Sequence, residues 1–172
     1  MAGKVNLLGH PVHPMVVVYP LAFLTATVVL DISFLATGNA LLATISYWAL
    51  IAGILTGLFA AIFGIADWAA LPDGTRAKRI GGWHARANIT MIVLFAIDWW
   101  LRRKTPDAPE TLPIVMGVVA IFLGLVGGWL GGELVYRLSV GVDFDAHVNS
   151  PSSFSGRPAS DLKETLPASQ RG

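Results

Sequence analysis

His10 and His13 stand in the segment Gly9-His10-Pro11-Val12-His13-Pro14, immediately before a long apolar run from Met15 to Ala36. Imidazole is the one side chain that ligates metals and moves protons near neutral pH, so two of them at the mouth of an apolar helix invite both readings. A residue preceding proline is pushed out of the helical region and proline suits the first helical position, which predicts a helix starting at Pro14 with His13 as its cap. His-x-x-His broken by prolines does not lie on one helix face, so it lacks the i, i+4 geometry of a helical metal motif. Other ionisable groups recur at corresponding places: Asp67, His84 with Asn88 one turn on, and Glu133. Here histidines precede helices and carboxylates end them, which is the unfavourable end of each helix dipole. Mutual satisfaction of histidines and carboxylates, with Arg86 joining, or joint binding of something positive, would explain that arrangement.

Three chemistries stay open for this cluster. One is a polar network in which carboxylates orient the histidines. Another is a Zn, Fe or Mn site built from His10, His13, His84, Asp67 and Glu133, serving a metal-binding protein or metal-dependent enzyme. The last is haem b held between His13 and His84, with His10 as substitute ligand and Asn88, Asp67 and Glu133 as orienters. A cap position for His13 sits awkwardly with axial ligation, since axial histidines usually project from within helices. Asp31 lies eighteen residues after His13 and Asp98 fourteen after His84. At about 3.6 residues per turn each aspartate falls close to the face of its histidine, deeper in the span. Ionisable residues inside spans mark functional sites by default, so Asp31 and Asp98 suggest a proton or ion path, in a conductor or a non-catalytic membrane subunit. The competing expectation is that each meets water, Arg102 or Arg103 near the outer surface.

The elements that position these residues are membrane helices. Of 172 residues, 54% are hydrophobic and only 13% charged, against about 25% charged in soluble domains. A hydrocarbon core of about 30 Å needs about 20 apolar residues per helix. Four stretches qualify, at about 14–36, 42–66, 83–101 and 112–135, giving an all-α, up-down four-helix bundle over residues 1–142. Residues 143–172, rich in Ser, Pro, Ala and Asp, form a tail expected to lack fixed structure. The first apolar run is too long for a signal peptide and is read as a retained span. With no cysteine there is no thiolate metal site, iron–sulfur cluster or attached c-type haem. A net charge of +1 and the absence of a basic stripe argue against nucleic acid. No nucleophile elbow, phosphate loop or zinc-protease helix appears, which argues against a classical hydrolase.

Lys4, Arg76, Lys78, Arg79, Arg86, Arg137, Arg157, Lys163 and Arg171 fall on one side, and Arg102, Arg103 and Lys104 on the other. The excess puts both termini in the cytoplasm. Tyr47-Trp48, Trp68, Trp83, Trp99-Trp100 and Trp129 fit interfacial belts, and Trp129 is also placed to wall a cofactor pocket. His147, in the tail, reads as solvated. Gly53, Gly57 and Ala61, and Ala120, Gly124, Gly128 and Gly132, recur at every fourth residue, a spacing that lets helix backbones approach within one chain or between copies in a homo-oligomer.

GHPVHPMVVVYPLAF, IADWAALPDGTRAKRIGGWHARAN and GGELVYRLSVGV resemble the bacterial four-span membrane proteins grouped as domain of unknown function 2231, over about Gly9 to Val142. The matching positions are His10, His13, Pro14, Asp31, Asp67, His84, Asn88, Gly132 and Glu133. Leu138-Ser139 departs from the His or Tyr followed by Gly that members often carry, which removes a ligand there. The resemblance implies a bacterial inner-membrane location. It also implies a redox setting with a redox partner protein, because members occur beside or fused to cytochrome c-like and Rieske-type domains. That favours haem over a mononuclear metal, by analogy alone.

Overall fold

A computed structural model describes residues 4–161. Its chain order is a short β-hairpin, β1 (Asn6–Leu7) and β2 (His10–Pro11), then α1 (Val12–Val16), α2 (Val18–Thr37), α3 (Ala40–Ala69), α4 (Arg76–Arg102) and α5 (Thr111–Gly132), which runs on as a π-helical turn over Glu133–Arg137. The expected all-α four-span architecture is present, with four helical stretches long and apolar enough to cross a membrane.

Local chemistry explains the boundaries and their departures from expectation. The two-residue turn Leu8-Gly9 has positive φ at both positions, the twist that suits a tight antiparallel hairpin. The first helix starts at Val12, with Pro11 as cap, so His13 sits inside the first turn and not at the cap. Pro14 is tolerated because backbone N–H groups in a first turn have no helical partner. Pro20 cannot donate to Val16 and its ring crowds that carbonyl, which accounts for the break at Val17 between α1 and α2. Gly38, at φ 67°, closes α2 with its N–H on the Phe34 carbonyl, and the Asn39 side chain caps α3 by accepting from Leu41. The charged stretch expected as loop to Gly82 turns helical at Arg76, because Thr75 accepts from the Lys78 amide. Lys78 Nζ reaches back to the carbonyls of Trp68, Ala69 and Leu71, covering the C-terminal end of α3.

The bundle is two helical hairpins. The first, α1 and α2 on α3, and the second, α4 on α5, are each closely packed, and the two meet over a smaller seam. Leu24, Val28, Leu50, Met91, Phe95 and Ala120 form the apolar layer at mid-height. The small-residue stripes serve contacts inside the chain. Gly53 lies against Leu24, Gly57 against Ile92 and Gly124 against Met91, whereas Gly128 faces open space. Gly128 is therefore no part of a seam within the chain; the buried small positions of α5 are Gly117, Ala120, Gly124 and Gly127. In the tail, residues 143–161 carry turns and one 3-10 turn, with Ser153 lying over Gly9. Residues 162–172, including Lys163 and Arg171, lie outside the described residues.

A Cβ on Gly53 would stand 2.5 Å from a Leu24 methyl and 3.3 Å from the Leu24 backbone nitrogen. Gly53→Val is expected to destabilise the bundle by about 1–3 kcal/mol. Gly128→Ala should leave the melting temperature in detergent unchanged or slightly raised, since its site is open. Equal melting temperatures for Gly53→Val and the parent would refute this packing.

Candidate functional site

At one end of the bundle two imidazoles face each other across the seam between the hairpins. The first turn of α1 presents His13 to α3, where Nδ1 is 3.0 Å from the Ala60 carbonyl oxygen. His84, two turns beyond the Thr75 cap, turns to α5 with Nδ1 2.8 Å from the Gly127 carbonyl oxygen. A carbonyl can only accept, so each Nδ1 carries the proton, and in the neutral ring Nε2 keeps its lone pair. Glycines make room on both sides: a Cβ at Gly64 would meet the His13 ring at 2.8 Å, and one at Gly131 the His84 ring at 3.3 Å. The ring centroids are 6.2 Å apart and the planes 87° to one another. Asn88 donates to the His84 carbonyl at 2.8 Å. Its amide nitrogen is 3.4 Å from both ring nitrogens of His84 and so lies along neither lone pair. Each ring is thus fixed by a backbone acceptor one helix away, the arrangement that sets the tautomer of a ligating or proton-handling histidine.

The carboxylates expected to orient this pair are engaged elsewhere. Asp67 accepts from the backbone amides of Lys4 and Val5, at 2.6 and 3.4 Å, and so fastens the N-terminal segment to α3. Glu133 pairs with Arg76 at 2.5 Å, tying the end of α5 to the start of α4. These partners also resolve the helix-dipole mismatch, because amide donors and a guanidinium, not histidines, satisfy the anions. His10 is exposed on β2, outside the pair. Arg86 stacks over Trp83, and Trp129 faces outward at 69% exposure, so neither borders the imidazoles as expected. His147 is partly covered rather than solvated, with Nδ1 accepting from the Asn149 amide. The ligand set His10, His13, His84, Asp67 and Glu133 therefore does not assemble: among the described residues no three His, Asp or Glu side chains are grouped to hold a metal ion.

The opposite end holds a second polar cluster. Asp31 of α2 and Asp98 and Arg102 of α4 are completely buried. Arg102 grips Asp31 with both terminal nitrogens, at 2.9 and 3.0 Å. The same guanidinium reaches Ser46 Oγ at 3.3 Å and the Ala43 carbonyl at 3.4 Å, while Ser46 donates to Asp31 at 2.5 Å. Asp98 approaches Arg102 only to 3.6 Å. Of the two expectations for the aspartates, contact with Arg102 is the one realised, but deep inside the bundle. Arg102 itself, expected as a surface stop beside Arg103 and Lys104, is an internal residue. Arg103 does stay outside, over the Trp100 ring. Ser46, Ala60, Gly64, Gly127 and Gly131 had no role in the sequence reading. Residue type does not single out Ser46, because Thr44 and Thr56 carry hydroxyls in the same span.

Residues 9–144 match the family described as "Predicted membrane protein (DUF2231)", and the chain belongs to that family. No curated protein and no solved structure shows significant similarity to it.

Removing one partner of a buried ion pair leaves the other charge uncompensated, at a cost of about 3–5 kcal/mol. Arg102→Ala and Asp31→Ala are each expected to lose that much stability. Arg76→Ala, which breaks a half-exposed pair, should lose at most about 1 kcal/mol. Denaturant titration of the three variants in detergent checks the order, and an equal loss in all three would contradict it.

Proposed function

We propose that this membrane protein is a small redox module that holds haem b between His13 and His84. The observation that carries the reading is the pair of imidazoles facing each other from different hairpins, each with Nδ1 bound to a backbone carbonyl. The ring centroids stand 6.2 Å apart, close enough for both imidazoles to serve one bound group. His13 and His84 are the two protein donors that haem b would need. A Zn, Fe or Mn ion without a porphyrin needs further protein donors, and the described residues place none beside the pair. The donor set therefore favours haem over the mononuclear-metal alternative.

Bound haem supplies one-electron chemistry between ferric and ferrous iron. The residues of the chain do the positioning. Ala60 and Gly127 hold the tautomer that would leave Nε2 as the atom available to the haem, and Gly64 and Gly131 let the rings lie close to α3 and α5. Asn88 steadies the turn that carries His84. The apolar mid-layer separates this end from the buried Asp31–Arg102–Asp98 cluster, which disfavours continuous proton conduction between the two ends. The excess of Lys and Arg on the histidine side supports a cytoplasmic orientation for both termini in a bacterial inner membrane. A soluble or membrane-bound redox partner would then meet that face.

Protein purified in detergent from cells supplied with haem precursor is expected to show Soret and α bands that shift on dithionite reduction. Single His13→Ala and His84→Ala substitutions should lower haem content by at least about tenfold, the scale on which even outer-shell partners act, while His10→Ala should not. A colourless parent with about one metal per chain by elemental analysis would favour the metal reading. A parent holding neither would reduce the pair to a structural contact.

A further inference from the structure

We propose that Asp98 is a proton-binding site, its carboxyl held neutral within the buried Asp31–Arg102–Asp98 cluster. Charge balance leads to this. Arg102 and Asp31 neutralise each other through two good hydrogen bonds. An ionised Asp98 would add a negative charge with nothing left to cancel it. Its side chain has no exposure, and among the described residues neither carboxyl oxygen accepts a hydrogen bond. Its closest cationic nitrogen is the one Asp31 already occupies, 3.6 Å away. Desolvating an unpaired carboxylate costs several kcal/mol, and a proton removes that cost.

Among the described residues, the elements packed around Asp98 offer no alternative counter-charge. α2 presents Asp31 and Val28, α3 contributes Ser46 through Asp31, and α5 contributes Gly117, whose Cβ position is 3.5 Å from Asp98 Oδ2. Arg102, on the same helix, is the lone cation of the cluster. A metal cation in its place would have to sit beside that guanidinium, which repels it. A pocket of about 190 Å³ lined by Arg102, Thr105, Glu110 and Pro113 borders the Arg102 side of the cluster. The apolar layer of Leu24, Val28, Leu50, Met91 and Phe95 closes the other side. On this proposal any exchange is confined to the Arg102 side, and the site binds a proton without conducting it. It is independent of haem binding at the opposite end.

Infrared spectroscopy of the full chain in lipid at neutral pH tests this. The expected result is a carbonyl stretch of a protonated carboxyl that shifts down in D2O, shifts again with carboxyl carbon-13 aspartate, persists in Glu110→Gln, and is lost in Asp98→Asn. Asparagine mimics the neutral acid, so Asp98→Asn should keep the parent melting temperature. Absence of the band from the parent, its persistence in Asp98→Asn, or failure of Asp98→Asn to fold would each overturn the proposal, the last because it would show that the charge is required.

Discussion

The buried grip of Arg102 on Asp31 is the constraint on which the bundle depends. A guanidinium inside an apolar bundle is expensive, and it is kept there only where its donors are matched. Here the matches for the two terminal nitrogens come from three helices: Asp31 on α2, Ser46 and the Ala43 carbonyl on α3, and the weaker approach of Asp98 on α4 itself, while Nε has no hydrogen-bond partner among the described residues. Packing within each helical hairpin is extensive, but packing between the hairpins is sparser. The ion pair is therefore the strongest directional link across that seam. By fixing the hairpins at one end it limits how far they splay at the other, where His13 and His84 face each other. A cation that looks like a membrane stop becomes the residue that sets the geometry of a site some five helical turns away.

The hairpins contribute in parallel. Each supplies one histidine near the start of its first helix, a backbone carbonyl on its second helix to receive Nδ1, a glycine four residues later for the ring to lie against, and an aspartate deeper in the first helix. Neither hairpin holds a complete site: the imidazole pair and the acid–guanidinium cluster each need both. Between the two polar ends lies a continuous apolar layer. The division keeps the imidazole pair at one end apart from the acid–guanidinium cluster at the other, and explains why the aspartates do not extend the histidine site.

Most of the fold was legible because length and apolarity dominate in a membrane chain. The four spans, the loop at Gly38-Asn39 and the gathering of His13 and His84 at one end all follow from hydropathy and from threading helices up and down. What escaped depends on rotation about helix axes, which an almost uniformly apolar helix does not report. Gly124 and Gly128 are equivalent in spacing, yet one is buried against Met91 and the other open. Asp67 and Glu133 lie at the right height for the histidines, but side-chain direction takes them to the Lys4 and Val5 amides and to Arg76. Arg102 escaped for another reason: in a run of three basic residues, only the tertiary partner shows that the first one turns inward.

The near-perpendicular imidazole planes make the haem account open to one direct measurement, low-temperature electron paramagnetic resonance of the oxidised, haem-loaded protein. Two imidazoles crossed at 87° leave the iron orbitals that they touch almost equivalent, so the account predicts a low-spin ferric signal of large anisotropy. A high-spin signal, showing one protein ligand or none, would contradict axial ligation by both His13 and His84, and so would protein that takes up no haem.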